Sequence, residues 1–385
     1  MNDLLESDDA AMIREAVRNV AQGFGHRYYQ ERARAGKKAD ELWAALGAHG
    51  FLGVNLPEAF GGGGLGILEL SIVAEELAAS GCPLLMLVVS PAICGTLIAR
   101  FGTPEQKQAW LPALASGEKK MAFAITEPDA GSNSHRMQTS AVHEGGEWIL
   151  RGTKYYTSGV DEAEAVLVVA RTGLDERTGR GLLSLFIVDT SASGFRHDLL
   201  PVEITAPEKQ FTLFFDDISL PEGALLGEAG NGLRQVFYGL NPERILGAAT
   251  SNGIGRYALD RGVTYARDRR VWDVPIGSHQ GLAHPLAEAY VQVTQARVMT
   301  TRAAWLYDHG HDAGEAANIA KMVAADASIQ ALDRAIQTHG GNGMSSEFGL
   351  ADMWGIARTL QIAPVSREMV LNYISQHSLG LPKSY

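Results

Sequence analysis

From Ala10 to about Leu114, apolar residues recur at spacings of three and four, as in ELWAALGAHGFLG and ILELSIVAEELAAS. That is the period of helices with one buried stripe. Around Met121 the period changes to two: MAFAIT, EWILRG, AVLVVART, LLSLFIVD and QFTLFF are separated by turn-forming stretches such as Glu144-Gly145-Gly146 and Gly179-Arg180-Gly181. This alternation predicts an antiparallel sheet or small barrel. Beyond Gly232 the helical period returns in three long segments that read as members of a helix bundle. Runs of helices, then strands, then helices argue against an alternating parallel sheet, which needs a crossover helix after nearly every strand.

Composition narrows the class. The chain has 385 residues, of which 46% are hydrophobic, so it is long enough for two or three domains with a shared core. With 44 acidic against 33 basic residues the formal net charge is −11, which repels phosphate backbones and argues against nucleic acid as a partner. Cys82 and Cys94 are the only cysteines, and neither has disulfide-framework or zinc-ligand spacing. No metal is expected, and a reduced, cytoplasmic setting is. The opening MNDLLESDDAAM is acidic and lacks a signal-peptide pattern, and no apolar run approaches the roughly 20 residues of a spanning helix.

Two glycine-rich stretches invite a phosphate-binding reading. Gly61-Gly62-Gly63-Gly64-Leu65-Gly66 satisfies GxGxxG, but no acidic residue follows at the distance a dinucleotide fold requires. It reads as a flexible turn between two helices. His339-Gly340-Gly341-Asn342-Gly343 closes a long helical segment and reads as a helix stop.

Met121 to Asn133, with Thr126-Glu127-Pro128-Asp129-Ala130-Gly131-Ser132 at its centre, resembles the first signature of acyl-CoA dehydrogenases. GTKYYTSG at 152–159, Asn241-Pro242-Glu243-Arg244, the run Arg269-Arg270-Val271-Trp272, Ser278-His279-Gln280 and Gln337 to Gly343 follow in the order that family shows. The resemblance implies an α+β fold: an N-terminal α-helical domain (1–119), a middle antiparallel β-barrel domain (120–229) and a C-terminal four-helix bundle (230–385). It also implies FAD as cofactor, an acyl-CoA substrate, a homo-oligomer of tetramer type (a dimer of dimers) and electron-transfer flavoprotein as acceptor. The implied reaction is α,β-dehydrogenation of the thioester to the trans-2-enoyl-CoA, with an α-proton taken by a base and a β-hydride taken by the flavin.

Position by position, the resemblance places Phe123, Ile125, Thr126, Tyr156 and Ser158 against the flavin ring, and Gly131 and Ser132 beside its phosphates and the CoA arm. Arg269 and Trp272 match contacts that a neighbouring subunit makes near the FAD diphosphate, Gln280, Gln337 and Gly341 match further contacts to the dinucleotide, and Ser366 and Glu368 match further flavin contacts. Asn133 stands where aspartate is usual, and in the second signature Asp352 and Ile356 stand where a basic and an acidic residue are usual.

The base is the informative departure. Many members carry it near the C-terminus, where this chain has Pro364, a residue with no proton to exchange. A second group places it at the start of the bundle's first long helix, where this chain has Glu243, flanked by Asn241 and Arg244 as substrate-side residues. Asn241 suits an N-cap and Pro242 a first helical position, which puts Glu243 in the first turn, with its ionised form favoured by the helix dipole. First-turn glutamate is also ordinary capping chemistry. Two other readings share the resemblance: an oxygen-using flavoenzyme of the same fold, and a catalytically silent acyl-CoA-binding subunit. Acyl-chain length is not legible from the small residues Ser90, Ala92, Cys94 and Gly95.

Overall fold

The computed structural model describes residues 7–383. The acidic opening residues 1–6 lie outside the described residues. The predicted order of helices, strands and helices is what the chain adopts. The N-terminal part is built from α1 (Asp8–Gln22), α2 (Gly25–Arg34), α3 (Asp40–Ala48), α4 (Ile67–Ala79), the single turn α5 (Leu85–Leu87) leading into a π-helical stretch (Val88–Gly95), α6 (Thr96–Phe101) and α7 (Pro104–Ser116). The glycine run before α4 is not flexible. Gly63, Gly64 and Leu65 donate to the carbonyls of Gly53, Leu56 and Val54, so their N–H groups are already used. The free amides of Ile67 and Leu68 at the head of α4 bond to the carboxylate of Asp308 at 2.8 and 2.9 Å. A side-chain anion thus occupies the helix terminus that a phosphate would have needed.

The middle part holds β1 (Met121–Ala124), β2 (Ser140–Glu144), β3 (Glu147–Ser158), β4 (Ala165–Leu174), β5 (Gly181–Asp189), β6 (Phe195–Leu200), β7 (Gln210–Pro221) and β8 (Leu225–Leu226), ordered β6-β7-β3-β2-β4-β5-β8. The pairing is antiparallel except that β1 lies parallel to β4 and Ser140 of β2 pairs in parallel with Arg171. The unbroken apolar run of β4 has a structural reason. Ala165, Leu167 and Val169 pack toward the helices, while Val166, Val168 and Ala170 pack toward an interior core shared with Phe186, Leu213 and Phe215. Burial on both faces removes the alternation that a half-exposed strand shows.

The C-terminal part comprises α8 (Gly232–Asp268), a small hairpin of β9 (Arg270–Val271) and β10 (Val274–Pro275), α9 (Gln280–Asp308), α10 (Gly314–His339), and the shorter α11 (Trp354–Ile362) and α12 (Arg367–Tyr373). Alanines seam it: Ala248, Ala249, Ala258, Ala289, Ala296, Ala320, Ala324 and Ala331 are buried, so the helices approach closely. Among the described residues no helix is long and apolar enough to cross a membrane.

One buried carboxyl sits between the N-terminal and middle parts. Glu208 accepts from the Met86 amide at 3.4 Å through Oε1, while Oε2 has no partner. Burial, then repulsion from Glu162, pushes its carboxyl up to about 7. A pKa raised in the folded state gives stability that is complete below the unfolded value and lost as pH rises through the folded one. Glu208→Gln is therefore expected to gain about 2–3 kcal/mol at pH 8 and almost nothing at pH 4.5. Thermal melts of both proteins at the two pH values check it; equal melting temperatures at pH 8 would contradict the assignment.

Candidate active site

Glu243 lies on α8, but not in its first turn. The helix begins at Gly232, ten residues before the Pro242 start that the capping pattern implied, because Leu233, Val236 and Leu240 continue the apolar stripe upstream. Pro242 is consequently an interior helix residue. It has no N–H for the carbonyl of Tyr238 four positions back, a loss that ordinarily breaks a helix. Here the Tyr307 hydroxyl of α9 donates to that carbonyl at 2.9 Å, so the group is satisfied from a neighbouring helix. Asn241 does not cap either; its Oδ1 accepts from Arg244 Nη1 at 3.0 Å, one turn along. The dipole argument for an ionised Glu243 fails with the helix start.

Burial decides the electrostatics instead. Desolvation pushes the Glu243 carboxyl up to about 7, against the pull of Arg244 and Lys321. Arg244 is itself desolvated, and its Nε is buried without a partner. Phe237 lies beneath its guanidinium, 5.9 Å from ring centre to Cζ. Lys321, on α10, is 1% exposed and donates to the carbonyls of Gln361 at 3.0 Å and Val365 at 2.5 Å. Sequence reading missed Lys321. Its signal is a cation set on the apolar stripe of α10, between buried Ala317, Ala320 and Ala324. The small residues between 90 and 95 point inward: the Ser90 hydroxyl accepts from the Met121 amide at 3.1 Å, and Cys94 is buried beside the Ala122 carbonyl.

The residues matched to the flavin ring converge on the end of β1 and the adjoining part of β3. Phe123, Ile125 and Thr126 are half-buried, and the Tyr155 amide donates to the Thr126 carbonyl at 2.8 Å. Beneath them lies a buried ion pair. Lys154 donates to Glu127 Oε1 at 2.9 Å and to the Ile125 carbonyl at 3.0 Å, and Glu127 also accepts from the Gln138 and Thr139 amides. This fastening holds the turn after β1 against β3. Tyr156 has a positive φ of 54° and is 55% exposed, so its ring is presented outward. The Ser158 hydroxyl is engaged with the Gln210 side chain at 2.9 Å. Gly131 and Ser132 are exposed, and nothing stands within 4 Å of where a Cβ of Gly131 would be.

A second set is remote from Glu243. Arg269, Trp272 and Gln280 surround the β9–β10 hairpin beyond the far end of α8, and Trp272 is 86% exposed. Gln337 and Gly341 end α10 nearby, where His339 stacks on Tyr265 at 4.1 Å. Twenty-six residues of helix separate Glu243 from Arg269, about 39 Å at 1.5 Å per residue. One chain does not bring the two sets together.

Residues 7–118, 122–218 and 230–379 match the N-terminal, middle and C-terminal domains of acyl-CoA dehydrogenases. Acyl-CoA dehydrogenase FadE12 of Mycobacterium tuberculosis (strain H37Rv) is 54% identical over 383 residues, 99% of this chain and 98% of that protein. The chain belongs to the acyl-CoA dehydrogenase family. A glutaryl-CoA dehydrogenase in complex with glutaryl-CoA superposes with a TM-score of 0.94 at 29% identity, covering 99% and 98% of the two chains. The FAD complex of PigA does so at 0.92 and 26% identity, covering 98% and 99%.

For an acyl-CoA dehydrogenase the second signature is altered, and the structure gives the replacement. Asp352 pairs with Arg34 at 3.1 Å and accepts from Gln30, both on α2, with buried His26 at 3.7 Å. Ile356 is fully buried in the core. The segment is thus tied to the N-terminal part instead of to itself. Further on, Ser366 accepts from the Met369 amide as N-cap of α12, and Glu368 lies exposed in that first turn, its carboxyl held below the usual range by its own backbone amide and then by the Ser366 hydroxyl.

Proposed function

We propose that this oxidoreductase dehydrogenates an acyl-CoA thioester between Cα and Cβ, with Glu243 as the base and FAD as cofactor. The observation that carries the reading is a carboxyl desolvated to a pKa of about 7, flanked by Arg244 and Lys321 and acting on the Cys94 thiol, which lies 3.5 Å from the Ala122 carbonyl of the strand that carries Phe123. A base with that pKa is half ionised at neutral pH and gains affinity for a proton as a bound acyl chain excludes more water.

The residues present fit the cofactor. The outward Tyr156 ring offers an aromatic surface, Gly131 leaves room for a close approach, and Thr126 and Ser132 are residue types that can hydrogen-bond a polar edge. Bound FAD supplies the acceptor for the β-hydride. Glu243 would take the α-proton, and the C–H bonding pair left on Cα would close the Cα–Cβ double bond as the β-hydrogen leaves with its own pair. Asn241 and Arg244 stand on the substrate side, and the unpartnered Nε of Arg244 offers a donor there. The set at Arg269, Trp272, Gln280, Gln337 and Gly341 serves the FAD of a second copy in a homotetramer, a reading supported by its distance from Glu243. Electron-transfer flavoprotein is the acceptor we infer.

Anaerobic mixing of the FAD-loaded protein with saturated acyl-CoAs of increasing length tests this by bleaching of the flavin. Because the ionised carboxylate is the active form, the second-order rate of bleaching at low substrate is expected to rise about tenfold per pH unit below 7 and to level off above it. A profile flat from pH 5.5 to 8.5, or no bleaching by any thioester, would overturn the proposal.

A further inference from the structure

Glu243 meets charge from several directions. Arg244 flanks it on α8, Lys321 faces it from α10, and the Cys94 thiol of the π-helical stretch is close enough for its proton to be held more tightly by the glutamate. Lys321 in turn feels Asp326 and Glu368 as well as Glu243 and Arg244, and Arg244 feels Tyr373. Among the described residues no carboxylate lies within ion-pair distance of Lys321, although Asp326, Glu243 and Glu368 all act on it from farther away. Its two hydrogen bonds go to backbone carbonyls that bracket residues 362–364. A buried ammonium satisfied by carbonyls alone keeps its charge available to act at a distance.

The same segment is fastened a second time from α10. Asp326 accepts from Gln361 Nε2 at 2.5 Å and from Arg367 Nε at 3.0 Å. Residues 361–367 are therefore strapped onto α10 at two points five residues apart, Asp326 and the Lys321 ammonium. Arg244 also acts on Glu243, but its Nη1 bonds to Asn241 and its guanidinium lies over Phe237, so the fastening of the strap falls to Lys321.

We propose that Lys321 is a positioning residue for the reaction, fastening the 361–365 strap while supplying, beside Arg244, a second positive charge that faces Glu243. The inference rests on the reading of Glu243 as the base, but its two consequences separate cleanly. Lys321→Gln removes the charge and keeps a donor for the carbonyls; Lys321→Met removes both.

The experiment is infrared titration of the Glu243 carboxylic acid band in the FAD-loaded, substrate-free protein, with the band assigned by its absence from Glu243→Gln. Backbone amide exchange over 361–366 is measured on the same samples. Both Lys321 variants are expected to move the midpoint of the Glu243 band upward, by roughly half to one pH unit. Only Lys321→Met is expected to speed exchange in the strap, by about tenfold or more. An unchanged midpoint in folded, FAD-loaded Lys321→Gln overturns the proposal, and so does unchanged exchange in Lys321→Met. Should Lys321→Met not fold, Lys321→Gln still decides the charge. Neither readout requires turnover, so a Glu243→Gln protein that still bleaches would remove the base assignment and leave the result for Lys321 standing.

Discussion

Glu243→Gln is expected to leave a folded, yellow protein whose flavin is bleached by acyl-CoA about 10²–10⁴-fold more slowly than in the parent. The amide is nearly the same size as the carboxyl but cannot accept the α-proton. The surroundings support a clean separation of chemistry from folding. Glu243 forms no ion pair within 4 Å among the described residues, and its charge is disfavoured by burial, so the neutral amide removes a desolvation penalty and leaves no partner stranded. The variant should therefore melt at or slightly above the parent temperature. FAD content, melting temperature and single-turnover bleaching are read together: undiminished bleaching excludes Glu243 from proton removal, and lost FAD would show that the residue holds the site together.

The physics of that residue shows where sequence reasoning reached and where it stopped. Periodicity alone placed the return of helical structure at Gly232, which is where α8 starts. The local capping pattern Asn241-Pro242 then suggested a later start, because a proline inside a helix is penalised unless something outside the helix takes the freed carbonyl. That something is Tyr307, 69 residues downstream of Tyr238, and no local signal names it. The glycine run at 61–66 was legible as a turn but not as a packed one, since its rigidity comes from carbonyls at 53–56. Asp352 was visible as a departure, while its new partners on α2 lie more than 300 residues away. Chemistry set by residue type was readable; chemistry set by which elements meet was not.

The strongest case of the second kind is the carboxylate pair of α4. Neither Glu75 nor Glu76 stands out in the sequence, yet Arg256 Nη1 lies 2.6 Å from Glu75 and 2.5 Å from Glu76, Arg297 Nε 2.7 Å from Glu75, and Arg14 Nη1 2.5 Å from Glu76. Helices α1, α8 and α9 are thereby pinned to α4, and with them the N-terminal part to the bundle that carries Glu243. Burial alone would raise the Glu76 carboxyl, but Arg256 and Arg14 hold it below the usual carboxylate range. A depressed pKa means that this stabilisation is present above the unfolded value and lost as pH falls through the folded one. Glu76→Ala leaves Glu75 alone to balance the guanidiniums of Arg14, Arg256 and Arg297 in a largely desolvated seam, and its expected cost is up to about 3 kcal/mol. Arg18, also at Glu76 but 44% exposed and 3.2 Å away, sits where screening by water is effective. Arg18→Ala should therefore cost no more than about 1 kcal/mol. Denaturant unfolding of both variants at pH 7.5 checks the contrast, and a second series at pH 4 should begin to narrow it, because below the ordinary carboxylate value the unfolded chain takes up a proton that folded Glu76 resists. If Glu76→Ala unfolds at the parent midpoint, the seam is ornamental and the two parts are held by apolar packing alone. If it unfolds early and the FAD-loaded variant also loses bleaching at temperatures where it is still folded, then the position of α8 against α4 sets the geometry of the base.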